Sequence, residues 1–330
     1  MPARRPVLDV AGGSRWTLAR GEARGEFRRG NGRPTRRRIG PRRGSRPPSG
    51  VASLVGPWLL VLVAFAGGGT GAMQAPPVDP LHAPLDEILD TYVRDGLVYY
   101  RALQGDRARL DRYVASLDVP AATCASWPRE RQAAFWLNAY NAIVLRTVVD
   151  HYPIRGRSPD YPPDSIRQIP GAFDRTAWRV AGRPVTLDDI ELRILPRFED
   201  PRMYFALGRG AVGGGRLRSE AFTASRLEEQ LAGVEAECPR RGACALLDRT
   251  AGTLTVSPIF SWRSEEFVAA YAARAGAPFA ARSPIERAIV GFILPHLTPT
   301  EREELAREHV RIVFGPFDWR LNDLTGGRPR

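Results

Sequence analysis

Residues 133–149 read AAFWLNAYNAIVLRTVV, and their apolar side chains fall on nearly every face of a helix. A helix on the surface of a globular domain keeps one polar face, whereas a helix that is apolar all round is buried. Pro128, just upstream, suits the first helical turn, because its fixed φ is already helical and its missing N–H is not needed there. The segment is therefore predicted to be the central helix of a packed domain. Among its polar residues are Asn138, Tyr140 and Asn141. Buried amides must find hydrogen-bond partners. These three either hold a neighbouring segment in place or face a ligand, and they are candidate ligand-binding residues.

Toward the N-terminus, Leu85, Ile88, Leu89 and Tyr92 recur at helical spacing. A second helical run follows through Leu103, Leu110, Tyr113 and Leu117. Beyond the central helix the texture is mixed. Trp178–Val180 and Pro184–Val185 flank Ala181-Gly182-Arg183 as a hairpin, and Thr186 to Asp189 forms a capping box that opens a short helix through Leu195. Met203–Leu207 is a strand candidate. Ser225 with Glu228 caps a helix carrying Leu227, Leu231 and Val234 on one face. A second hairpin turns around Ala251-Gly252, two or three helices lie between Ser264 and Arg307, and Val310–Phe314 is a closing strand. Helices first and mixed elements later favour α+β over a doubly wound sheet. The expectation is a single domain over residues 85–323, with a central buried helix, several surrounding helices and a small, mainly antiparallel sheet.

The hydrophobic fraction, 43 % of 330 residues, suffices for a sizeable core. The net charge of +12 suggests nucleic acid until it is located. Residues 1–50 hold 14 Arg against Asp9, Glu22 and Glu26, which leaves +1 for residues 51–330. The basic character belongs to the tail, and the domain has no basic stripe with which to follow a phosphate backbone, so nucleic acid is not an expected partner. Rich in Arg, Gly and Pro, the tail is expected to be disordered, or to lie upstream of a misassigned start. Residues 51–67, VASLVGPWLLVLVAFAG, carry no charge and are shorter than the roughly 20 apolar residues that span a bilayer. Thr70-Gly71-Ala72 fits a small-x-small cleavage site, so residues 51–72 read as a signal peptide, with an uncleaved membrane anchor as the alternative. Residues 73–84 read as a Pro-rich linker and residues 324–330 as a disordered tail. Either way the domain is expected to be exported, to a periplasmic or extracellular location. Cys238 and Cys244 bracket a turn-rich stretch, where a local disulfide suits an oxidising compartment. Cys124 then remains as a buried small hydrophobe.

Four stretches together resemble the domain-of-unknown-function 547 family. They are YVRDGLVYY (Tyr92 to Tyr100), FWLNAYNAIVL (Phe135 to Leu145), TLDDIE (Thr186 to Glu191) and FDWRLND (Phe317 to Asp323). LRSEAFT (Leu217 to Thr223) supports them, and the resemblance covers Leu85 to Asp323. It implies that exported bacterial relatives are common. It also implies a His after the IE of TLDDIE, another before the FAL strand, and a Cys-Pro step beyond it, a plausible thiol nucleophile with its base. Here those positions read Leu192, Tyr204 and Gly214-Gly215. Leu transfers no proton and Gly carries no nucleophile, so the resemblance implies a degenerate version of an enzyme-like scaffold, with no catalytic residue assigned.

Other chemistries fare poorly. Gly208-Arg209-Gly210-Ala211-Val212-Gly213 matches G-x-G-x-x-G in form, but Gly214-Gly215-Arg216 continues the loop where a dinucleotide fingerprint needs a helix. A looser expectation is that successive N–H groups of this loop form an anion-binding nest, with Arg209, Arg216 and Arg218 as further candidate ligand-binding residues; the alternative is a flexible loop that replaces the Cys-Pro step. His82, His151, His296 and His309 stand singly, without the clustered partners a zinc site needs. No metal or cofactor is expected. Asp188, Asp189 and Glu191 read as capping and helix residues. Three functions stay open: a non-catalytic binding or interaction module, a hydrolase or transferase using polar groups near the Asn138–Asn141 helix, and a structural envelope protein.

Overall fold

The computed structural model describes residues 79–307 and 309–324. The expected tail and signal-like segment, most of the linker and residues 325–330 lie outside the described residues. Helix α1 (Ala83–Tyr92) feeds a hairpin of β1 (Val93–Arg94) and β2 (Leu97–Val98), whose turn holds Asp95 and Gly96 at φ of 49° and 82°. The second helical run is not continuous. It breaks at Asp106 into α2 (Tyr100–Gly105) and α3 (Arg107–Ser116), because Asp106 leaves helical geometry at φ −111°, ψ 27°. A short α4 (Ala121–Ala125) then leads to α5 (Arg129–His151), with Pro128 as its N-cap.

Helix α5 is the spine. Every residue from Ala133 to Leu145 is buried, as an all-round apolar pattern requires. Each fully buried Leu, Ile or Phe on it contributes about 1.5–3 kcal/mol of transfer free energy. Beyond it, β3 (Trp178–Val180) and β4 (Arg183–Val185) form the expected antiparallel hairpin, with Ala181 and Gly182 at positive φ in the turn. The Thr186–Asp189 capping box is present and opens α6 (Leu187–Asp189), which continues as a π turn to Ile194 and a 3₁₀ turn, Leu195–Phe198.

Two expectations need correction. Met203–Leu207 is not a strand; Pro201–Phe205 forms a 3₁₀ turn, started by the Asp200 side chain accepting from the Arg202 N–H at 3.1 Å. All five residues from Met203 to Leu207 are buried, and a run apolar on every side has no period to distinguish strand from helix. Ser225 does not cap α7 (Leu227–Glu237) either. It sits inside a preceding 3₁₀ turn, Arg226 occupies the N-cap, and Glu228 turns outward to Arg202.

A disulfide between Cys238 and Cys244, with Cα atoms 5.1 Å apart, closes the turn from α7 to β5 (Ala245–Asp248). β5 pairs antiparallel with β6 (Thr253–Val256). Then come α8 (Ile259–Trp262), α9 (Ser264–Tyr271), α10 (Pro284–Ile293) and α11 (Pro299–Leu305). The closing β7 (Arg311–Phe314) pairs parallel with β6. The architecture is α+β, a helical body around α5 with small sheets beside it. Residues 79–84 belong to this packed body rather than to a linker: His82 is 1 % exposed, and Asp79 binds Arg131 at 2.8 Å.

Candidate functional site

Asn138, Tyr140 and Asn141 project from one turn of α5, and each is spent on another segment. Asn138 clasps Phe222 in both directions, donating to its carbonyl at 2.8 Å and accepting from its N–H at 2.9 Å. Asn141 does the same to the following loop, donating to the Ala206 carbonyl at 3.1 Å and accepting from the Gly208 N–H at 2.9 Å. Tyr140 donates to Glu191 at 3.0 Å. All three are buried, and a buried amide with both functions satisfied holds backbone in place. They are positioning residues for the loops around α5 and are not open to a ligand.

Arg209 is also internal. Fully buried, it binds the Glu191 carboxylate through Nη2 at 2.7 Å and Nε at 3.2 Å, and it donates to the Tyr204 carbonyl at 2.9 Å. Burial alone would raise the Glu191 carboxyl; Arg209, with help from Arg263 and the Tyr140 hydroxyl, reverses that and holds it below the usual carboxylate range. Removing one partner of such a pair strands a buried charge, at a cost of about 3–5 kcal/mol. The loop from Gly208 to Gly215 is buried except at Val212, and most of its N–H groups are taken up within the fold rather than left for an anion. Val212 and Gly213 donate to the Arg320 and Asp318 carbonyls at 2.9 Å, and Gly215 donates to Leu207 at 2.9 Å. Of the remaining candidates, Arg216 pairs with Glu237 at 2.8 Å, and Arg218 with Glu220 at 3.1 Å.

The open chemistry lies at the other end of α5. A cleft of about 480 Å³ opens beside its first turns, with Arg129, Gln132 and Trp136 on the α5 wall. The β3–β4 hairpin adds Arg183, and the 3₁₀ turn after α6 adds Arg197 and Phe198. Three arginines from three separate elements thus line one cleft. Arg129 has Glu199 at 3.9 Å, while Arg183 and Arg197 make no ion pair among the described residues. Cys124 lies in the wall, 4 % exposed, and no histidine lines this cleft. Burial pushes the Cys124 thiol up, against the pull of Arg183 and Arg131, so it stays protonated.

Residues 124–237 match the family described as "Protein of unknown function, DUF547". Over that segment the chain is similar to the DUF547 family. No curated protein and no solved structure matches it. The matched DUF547 segment runs from Cys124 through Glu237 and so contains α5, the Glu191–Arg209 pair and all three cleft arginines. Within this DUF547 segment, Leu192 is half exposed, Tyr204 is buried with its hydroxyl 3.3 Å from Glu266, and Gly214 is pressed against the chain. A Cβ there would lie 2.3 Å from the Gly208 carbonyl oxygen, and at Gly215 1.8 Å from that of Phe205.

Sequence reasoning missed the cleft arginines. They are far apart in the chain and follow no short motif. The one local signal was the 129, 132, 136 spacing along a single face of the helix.

Proposed function

We propose that this DUF547 domain is a non-catalytic binding module that works outside the cytoplasm and holds an anionic ligand in the arginine-lined cleft. The carrying observation is the convergence of Arg129, Arg183 and Arg197, the last two without a carboxylate partner among the described residues. Unpaired guanidinium groups sharing one concave site favour a carboxylate or phosphate, since planar Arg matches those groups in a bidentate fashion. A cleft of this size suits a small molecule. The hydrolase or transferase alternative required reactive polar groups in a cleft beside Asn138, and Asn138, Tyr140 and Asn141 are closed over and hydrogen-bonded within the fold. The Cys238–Cys244 disulfide supports an oxidising location, where such a bond persists.

The test is a thermal-shift titration of the full chain with pyrophosphate and with citrate at low salt. Either anion is expected to raise the melting temperature by mass action on the folded state. Raising salt should weaken the effect, and a double Arg183→Glu, Arg197→Glu chain should abolish it. No shift with either anion, or a shift that survives the charge reversal, overturns the reading.

A further inference from the structure

We infer that the ligand is an anionic amphiphile, its charged head in the arginine cleft and a single alkyl chain in the groove next door; this rests on the proposed anion site. A second groove, of about 230 Å³, shares Arg129 and Phe198 with the first. Its floor is Ala133, Met203, Leu227 and Leu231, all of them aliphatic or thioether side chains from α5, the 3₁₀ turn and α7. The two spaces are therefore neighbours across one pair of side chains.

That partition is soft. The Arg129 guanidinium lies 5.6 Å over the Phe198 ring, and its Glu199 partner is 3.9 Å away and 87 % exposed. A long, exposed arginine side chain of this kind swings aside at small cost, and its methylene stem lines an apolar path as readily as its head binds an anion.

Charge tells the two ends apart. The cationic groups gather on the cleft side. The carboxylates around the groove include Asp200 and Glu228, which share the single cation Arg202 at 2.7 Å, so this side keeps a net negative charge and offers an anionic head no site. What that side offers a ligand is apolar contact along Ala133, Met203, Leu227 and Leu231, with Glu130 as a further lining carboxylate that has no ion pair among the described residues. A molecule with one anionic end and one aliphatic end satisfies both spaces; a small dianion leaves the groove empty, and a cationic amphiphile meets the arginines.

Calorimetry on the full chain with methyl, butyl, hexyl, octyl and decyl phosphate, each below its micelle concentration, tests this. Affinity is expected to tighten by about threefold to fourfold per methylene, the value of burying one CH₂, and to level off once the groove is full. Ala133→Leu, which extends a side chain into the groove, should move that plateau to shorter chains and leave methyl phosphate unaffected. Should that variant fail to fold, methyl-labelled Met203 gives a variant-free readout, because its resonance should move with octyl phosphate and not with methyl phosphate. A flat series in which methyl phosphate still binds overturns the alkyl-chain inference and leaves the anion site standing. Equal binding of octyltrimethylammonium overturns it as unspecific apolar adsorption. No binding by any phosphate overturns the anion site itself, and this inference with it.

Discussion

His82 is held neutral by its surroundings. Its ring packs against Phe135 and Tyr113, its Nδ1 lies 2.8 Å from the Tyr113 hydroxyl, and it is 1 % exposed. Burial lowers its pKa to about 4, with Asp79 opposing and Arg131 assisting. The unfolded chain therefore binds this proton more readily than the folded one. Stability is full above pH 6.5 and is lost as pH falls through 4, by up to about 3 kcal/mol. Melting temperature should already decline between pH 6.5 and 5, before the ordinary carboxylates titrate, and a His82→Gln chain should lose that slope. An unchanged slope in the variant would assign the decline to another group. The same scale shows why the polar residues of α5 misled as site candidates: a sequence marks a buried amide as needing partners without saying whether those partners are protein or ligand.

At the scale of elements, α5 and the loop from Gly208 to Gly215 depend on each other. The loop lies against the helix because Asn141 takes its Gly208 N–H, and its glycines are needed because backbone passes within van der Waals reach of Gly214 and Gly215. Restoring a thiol by Gly214→Cys is thus expected to lower stability by about 1–3 kcal/mol or more, as overpacking does, rather than to create a reactive site. Chemical denaturation with a parallel thiol-reactivity assay decides it. A Gly214→Cys chain as stable as the parent, with a fast-reacting thiol, would show that the loop is far more yielding than its contacts imply. Both hairpins and the Thr186 capping box were legible because turn and cap chemistry is local. The break at Asp106 and the 3₁₀ turn at Pro201–Phe205 were not, since both follow from packing around them.

Over the whole molecule, α5 touches elements from both the early helices and the later mixed region, and one core of buried side chains runs across the described residues. Aromatic rings from distant segments, Phe205, Phe260, Phe267 and Phe292, meet with centroids 4.7–5.8 Å apart. Pieces that share a spine and a core do not melt separately. Scanning calorimetry is expected to show one unfolding transition for this body, with calorimetric and van't Hoff enthalpies equal. Two resolved transitions would mean that the sheet region and the α5 body are independent.

By itself the sequence determined the buried central helix, the α+β class and the hairpins, because periodicity, capping and turn residues act over a few positions and need no knowledge of what lies across the core. Only the tertiary structure decided which polar groups are spent and which are free. Arg209, Arg216 and Arg218 are as basic in the sequence as Arg129, Arg183 and Arg197. The first three are ion-paired, whereas Arg183 and Arg197 make no ion pair among the described residues, and that difference is made by contacts between residues far apart in the chain.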